Sequence, residues 1–412
     1  MKIAIVGAGP AGTMAAVRLA RAGADVSLFD PSHPREKPCG GGWTGRALDL
    51  VSDVVDIGAL PAVVVRSANV EHPQTIGKTA AVPLIDRGAS AASSLVVLSR
   101  AVFDYALVSA AVHAGARLIP EKVVDVSIAR EGTGMVRTTR AEYGADFVLG
   151  ADGVNSVVRK KFSAPFSRAQ LSVAAGFFVH GVTSTAIDIK TMVTPPGYLW
   201  SFPRPDHLAI GVCAPASDRA SSSDLREQTL AWIQSHDFGR GTRLQQYAWP
   251  IPSIGFGSGR DNRPAGRRWM LLGDAAGLVD PLTREGIYYA LLSGQWAAEA
   301  LISCSLATAP GAYQARLDAD ILPELVRAAA LSRLFFTRAF SSLLVDGLEQ
   351  SDAIRRVFAD LVAGTQPYRG LRKRLLATRQ WRLAGNAILI GVMPVFTGTM
   401  KGGISLRRSS TA

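Results

Sequence analysis

The sequence predicts a mixed α/β protein: a discontinuous parallel-sheet domain, a mixed-sheet domain folded between its segments, and a helical C-terminal region. Three observations carry this. "KIAIV" at 2–6 is continuously apolar, as a strand buried on both faces is, and a glycine-rich turn and an apolar-spaced helix follow it. Two later apolar runs, "ADFVL" at 145–149 and "WMLL" at 269–272, also lead into glycine–aspartate turns. Between these runs, strands such as "LSVAAGFFVHG" and "HLAIGVCAP" alternate with turns, and the chain after 304 reads as mostly helical.

At 412 residues the chain is long enough for two or three domains. Its three cysteines, Cys39, Cys213 and Cys304, are odd in number and widely spaced. They give neither a disulfide framework nor a zinc site, and a reducing cytosol fits. The apolar run in "MKIAIVGAG" is short and broken by glycine, so it reads as a strand and not as a signal peptide. The net charge of +12 is concentrated late, with nine Lys or Arg and no acid from Leu361 to Ala412. Such a tail suits a membrane surface, nucleic acid or a phosphorylated substrate, or simply a solvated helix. No interleaving of aromatic and basic residues favours nucleic acid.

The first element is a nucleotide site. In "GAGPAG", Gly7 allows the tight turn, Gly9 lets backbone approach a pyrophosphate, and Gly12 lets helix and strand pack closely. The helix N-terminus offers N–H donors and a positive dipole. "ADVSLFD" is the second strand, and Asp30, 18 residues after Gly12, is placed for ribose hydroxyls. These glycines alone do not choose between FAD and NAD. Two later motifs do. "GADGVNSVVRK" carries Asp152, Gly153, Ser156 and Arg159; "WMLLGDAAGLVDPLTREGIYYAL" carries Gly273, Asp274, Pro281, and Gly286–Ile287 opening a helix. An aspartate after a strand can accept from a ribityl hydroxyl, and a helix N-terminus can face a flavin ring and favour negative charge on it.

These three motifs, in this order, resemble those of the FAD-dependent para-hydroxybenzoate hydroxylase superfamily over roughly residues 1–160 and 266–300. "LSRAVFDYALVSAAVHAGA" also resembles a superfamily segment, in which Arg100 opens a helix beside the cofactor. Two stretches are similar to the geranylgeranyl reductase branch: "KPCGGG" at 37–42, and "PPGYLWSFP", in which Tyr198, Trp200 and Phe202 fall on one face of a strand. The resemblance implies that those three aromatics line a substrate cavity beside the flavin. Gly40, Gly41 and Gly42 would let backbone lie against the flat ring, with Cys39 at its edge. Gly277 stands where superfamily hydroxylases often carry histidine, which favours a reductase; Arg284 stands where reductases often have glycine.

The implied activity is reduction of an isoprenoid or prenyl-lipid C=C bond, by hydride transfer from reduced flavin N5 with a proton from Cys39 or Tyr198. NAD(P)H or another donor would reduce the flavin. Alternatives are a hydroxylase, a halogenase using Lys78, and a non-catalytic flavin or lipid carrier. The expected FAD domain is 1–60, 96–160 and 266–303; the substrate sheet domain is 61–95 and 161–265; 304–412 is helical. "GFGSGR" at 255–260 reads as a loop and not as a second nucleotide fingerprint. The basic stretch 368–382 and the uncharged run 383–400 suggest peripheral contact with an inner membrane face or a cover for the cavity.

Overall fold

The computed structural model describes residues 1–75, 77–84, 95–216, 221–240, 243–252, 262–378 and 380. The stretch 255–260, the 383–400 run, Arg379 and Arg382 lie outside the described residues.

The apolar runs form the sheet they predict. Lys2–Val6 lies at the centre, with Phe147–Gly150 and Asp25–Phe29 as parallel neighbours. Trp269–Leu271 and Arg117–Ile119 extend it in parallel on either side, and Ala265–Gly266 adds an antiparallel edge. Ile3, Ile5, Phe147, Leu149 and Met270 are fully enclosed. This explains the unbroken apolar runs, since both faces of these strands are covered. Helices Pro10–Arg21 and Ile287–Ser303 pack against each other. The two strand-to-helix turns thus open toward one crevice.

The second sheet has seven strands in the order Arg243–Pro252, Leu171–His180, His207–Pro215, Pro196–Pro203, Ala186–Val193, Ser67–Glu71 and Thr79–Pro83. It is antiparallel except where Ala186–Val193 runs parallel to Ser67–Glu71. A small sheet of Gly42–Trp43, Val96–Leu98 and Ala62–Val64 joins the two layers. Trp43, directly after the triple glycine, packs against Phe103 with ring centroids 3.7 Å apart.

Helices Ala309–Arg316, Leu322–Phe335, Arg338–Gln350, Asp352–Val362 and Leu371–Ala377 follow. Thr337 and Ser351 cap two of them through their side chains, as short polar residues at helix starts do. Val345, Leu348 and Phe358 pack with Val82 and Ile187 of the second sheet. Among the described residues, no single helix is long and apolar enough to cross a membrane. One pair, Ala309–Phe335 with Arg338–Gln350, qualifies jointly on length and composition but is bent by 96°.

Candidate active site

Two compartments meet at the loop Lys37–Gly42. The first is a cleft of about 240 Å³ over the C-terminal ends of the central strands, where an open α/β sheet binds ligands. Gly7 has φ 102°, and a Cβ there would lie 2.4 Å from the Ala151 carbonyl oxygen. A Cβ on Gly12 would lie 1.9 Å from the Gly7 oxygen. The fold itself therefore demands both. Gly9 is different: its Cβ would meet nothing nearer than His33 Nε2 at 3.9 Å. No protein atom requires glycine at position 9, and the residue lines the cleft.

Asp30 ties the glycine turn to the next loop. It accepts the Ala8 N–H at 2.9 Å and the N–H groups of Ser32 and His33 at 2.9 and 3.1 Å. Its carboxylate has acceptor capacity left for a ligand hydroxyl. Asp152 Oδ2 accepts the Val157 N–H at 2.7 Å, while Oδ1 is buried with no partner. Burial raises the Asp152 pKa. An orphaned carboxylate oxygen on the cleft wall, with an unobstructed Gly9, fits a bound group carrying a phosphate and hydroxyls. Ser156 caps the helix Val157–Phe162 through the Arg159 N–H. The Arg159 guanidinium, lowered to about 10 by burial, donates to Asn262 and the Ala275 carbonyl at 2.9 and 3.1 Å. It locks the second motif onto the Gly273–Asp274 turn.

Asp274 lies across the cleft from Lys37, with Nζ 3.1 Å from Oδ2. Gly286 is the N-cap of Ile287–Ser303, and Pro281 stands in the turn before it, which Asp280 pins by accepting the Leu282 and Thr283 N–H groups at 2.7 and 2.9 Å. Arg100 opens its helix as expected and lines the cleft. Buried to 3% exposure, it donates to Asp104 at 3.0 and 2.8 Å. Burial lowers the Arg100 pKa and Asp104 more than offsets that, leaving it raised.

The second compartment is a mostly apolar cavity of about 230 Å³ between the seven-stranded sheet and the C-terminal helices. Tyr198, Trp200 and Phe202 all line it, as their period-two spacing requires, together with Cys39, Gly40, Gly41, Gly42 and Ile287. The flat ring that excludes side chains at Gly40 and Gly42 is, among the described residues, that of Phe202: a Cβ would come within 2.9 and 2.8 Å of it. Gly41, at φ 78°, faces the Leu98 carbonyl instead, 2.4 Å from a would-be Cβ. Cys39 Sγ accepts the Gly41 N–H at 3.3 Å. The Tyr198 hydroxyl donates to the Thr283 carbonyl at 2.7 Å, and burial raises its pKa. Its proton is thus held by a backbone carbonyl.

Several residues that shape the site escaped sequence reasoning. Arg204, fully buried, donates to the carbonyls of Leu98 and Cys39 at 2.6 and 3.1 Å and fixes the cysteine loop. Glu36 accepts the N–H groups of Arg100 and Ala101, both at 3.2 Å, capping a helix 64 residues later. His33 is buried between Asp30 and Asp104, at 3.7 and 3.6 Å, and burial lowers its pKa. Only the clustering of charge in "HPREKPC" hinted at such a role. Lys78 lines neither compartment; it pairs with Asp346 and Glu349 at 2.5 and 3.2 Å.

Residues 1–231 match the family model described as an FAD binding domain. A menaquinone reductase of Mycobacterium tuberculosis is 30% identical over 74% of this chain and 77% of its own length. A chloroplastic geranylgeranyl diphosphate reductase of Oryza sativa is 27% identical over 88% and 78%. The crystal structure of a geranylgeranyl bacteriochlorophyll reductase-like protein from Thermoplasma acidophilum superposes with a TM-score of 0.74 at 21% identity, covering 92% of this chain and 98% of that one. With the glycine turn and the orphaned Asp152 oxygen on the cleft and the helix start at Gly286 on the adjoining cavity, this chain belongs to the FAD-binding flavoenzymes, as an oxidoreductase of their geranylgeranyl reductase branch.

Proposed function

We propose that the chain reduces carbon–carbon double bonds of a prenyl lipid, with FAD along the cleft and the alkene in the apolar cavity. One observation carries this: the same two segments line both compartments. Lys37 faces the cleft while Cys39–Gly42 face the cavity, and Asp274 faces the cleft while Thr283–Ile287 face the cavity. A group filling the cleft therefore ends where the cavity begins. The cavity is smaller than the ~300–1,000 Å³ of a site enclosing a drug-sized ligand, so it takes a segment of a long chain. The named reductase relatives support the prenyl class.

The flavin, when bound and reduced by NAD(P)H or another donor, supplies the hydride. The chain's residues do the rest. Gly9 with the helix N-terminus would take the diphosphate, on a turn that Gly7 and Gly12 allow, Asp30 would take a ribose, and Asp152 and Asp274 the ribityl hydroxyls. Arg100 and the N-terminus at Gly286–Ile287 set the field near the ring. Tyr198, Trp200 and Phe202 orient the alkene and exclude water. An isolated alkene accepts hydride poorly, so a proton must arrive with it. Cys39 Sγ is the donor in this reading, with its loop fixed by Arg204, and Tyr198 holds the turn at Thr283. The exposed Arg369 and Lys373 dock the protein peripherally on an anionic membrane face, where the lipid resides.

Cys39→Ala tests the assignment in anaerobic, photoreduced enzyme given a prenyl lipid. FAD content and flavin reduction should persist, while formation of the product two mass units heavier slows at least ~100-fold. Unchanged turnover would move the proton donor elsewhere. Oxygen-dependent hydroxylation by the wild type, with no saturated product, would overturn the reductase reading.

A further inference from the structure

One end of the cavity is polar in a way that alkene reduction does not need. Ile187, Ile189 and Thr191 line the cavity from one face of their strand, and the last is the only polar residue of the three. Thr191 is 4% exposed, and its Oγ1 has no hydrogen-bond partner. It stands opposite Tyr198, which stands opposite Cys213, so these three side chains form a row across the sheet. Arg284 meets that row from the Asp280–Gly286 turn: its charge opposes the burial that raises both Tyr198 and Cys213. Its backbone has φ 61°, the left-handed region that a non-glycine residue rarely holds. The turn keeps it there through the Arg284 N–H on the Asp280 carbonyl at 3.0 Å and the Tyr198 hydroxyl on Thr283. Strain of this kind persists where surrounding structure fixes it, and it clusters at ligand sites.

Resting on the prenyl-lipid reading above, we propose that Thr191 and Arg284 form a head-group subsite for a neutral carbonyl oxygen, and that the substrate is a prenylated quinone. Both side chains offer donors to an acceptor atom. The charge balance does not suit a diphosphate head group inside this cavity. Among the described lining residues Arg284 is the single cation, and the single carboxylate, Glu285, is held by Arg46 and by Thr44 at 2.7 Å. A diphosphate brings several negative charges into this low-dielectric space, and one guanidinium does not offset them. A carbonyl needs only the donors that are present.

The test is a titration of the oxidised, FAD-loaded protein, read by the change in flavin absorbance. The probes are a naphthoquinone with a short prenyl tail, a prenyl hydrocarbon of equal length, and geranylgeranyl diphosphate. Wild type should bind the naphthoquinone at least ~10-fold more tightly than the hydrocarbon, the weight of one charge-assisted hydrogen bond. Arg284→Asn should collapse that ratio while leaving the hydrocarbon Kd unchanged, and Thr191→Val should reduce it several-fold. Should Arg284→Asn lose FAD, Arg284→Gly, which tolerates the left-handed backbone, and Thr191→Val carry the test. A wild-type ratio near one, a ratio unmoved by the variants, or tighter binding of the diphosphate overturns the head-group assignment. Saturation of any probe's tail under anaerobic reduction would still uphold the prenyl reading. Failure of all three probes to bind removes both.

Discussion

Replacing Gly9 and Gly12 separately by alanine should produce opposite defects, although the residues sit three apart in one motif. Gly9 has φ −72° and ψ 179°, which alanine adopts freely, and its Cβ would have 3.9 Å of clearance. Alanine stabilises by about 0.4–1 kcal/mol through the unfolded chain and loses about 0.5–1 kcal/mol as a poorer helix N-cap. The net change in the apo protein is therefore within about 0.5 kcal/mol. The added methyl stands in the cleft where the diphosphate approaches, so FAD affinity should fall at least tenfold, or about 1.4 kcal/mol. At Gly12 the new Cβ would sit 1.9 Å from the Gly7 oxygen and 3.1 Å from the Ala151 Cβ. Ordinary contact begins near 3.4 Å, so helix and strand must separate, at about 3 kcal/mol or more. Urea melts of apo protein and FAD titration by flavin fluorescence distinguish the two. Gly9→Ala binding FAD within threefold of wild type, or Gly12→Ala melting like wild type, would refute the division of roles.

Three further outcomes are expected. Burial raises Asp188 to about 6 from 3.8, with Glu71 adding to the rise and the Asn69 amide opposing it; the native state thus holds an extra proton between those values, and its stability falls as pH rises through them. Asp188→Asn should therefore stabilise by up to about 3 kcal/mol above pH 6 and by little below the lower value, and an equal effect in melts at pH 4 and pH 8 would contradict this. Arg204→Met strips a donor from the Leu98 and Cys39 carbonyls and leaves Glu36 without that partner; it should cost about 3 kcal/mol and speed alkylation of Cys39, and no change in either would mean the loop is held by other contacts. Neutralising the exposed Arg369 and Lys373 should weaken binding to anionic vesicles by about 2 kcal/mol. Arg374 is left in place because it pairs with Asp360 within the fold; equal cosedimentation of wild type with neutral and anionic vesicles, or none with either, discards the docking role.

The local signals were legible because they are backbone requirements written in adjacent residues. The Gly7 turn and the helix start at Gly286 stand where their sequence placed them. So do Tyr198, Trp200 and Phe202, since alternation alone decides which strand face they share. The sequence thereby determined the crevice, its cofactor class and one cavity wall. Tertiary structure alone decided that Gly40 and Gly42 lie against the Phe202 ring and Gly41 against the Leu98 carbonyl, residues distant in sequence. It also decided that Glu36 caps the helix at Arg100, that Lys37 meets Asp274 across 237 residues, and that Arg204 holds the Cys39 loop across 165. Charged contacts of this range leave no periodicity in a sequence; they exist only once two sheets and a helical layer have brought their partners within about 3 Å.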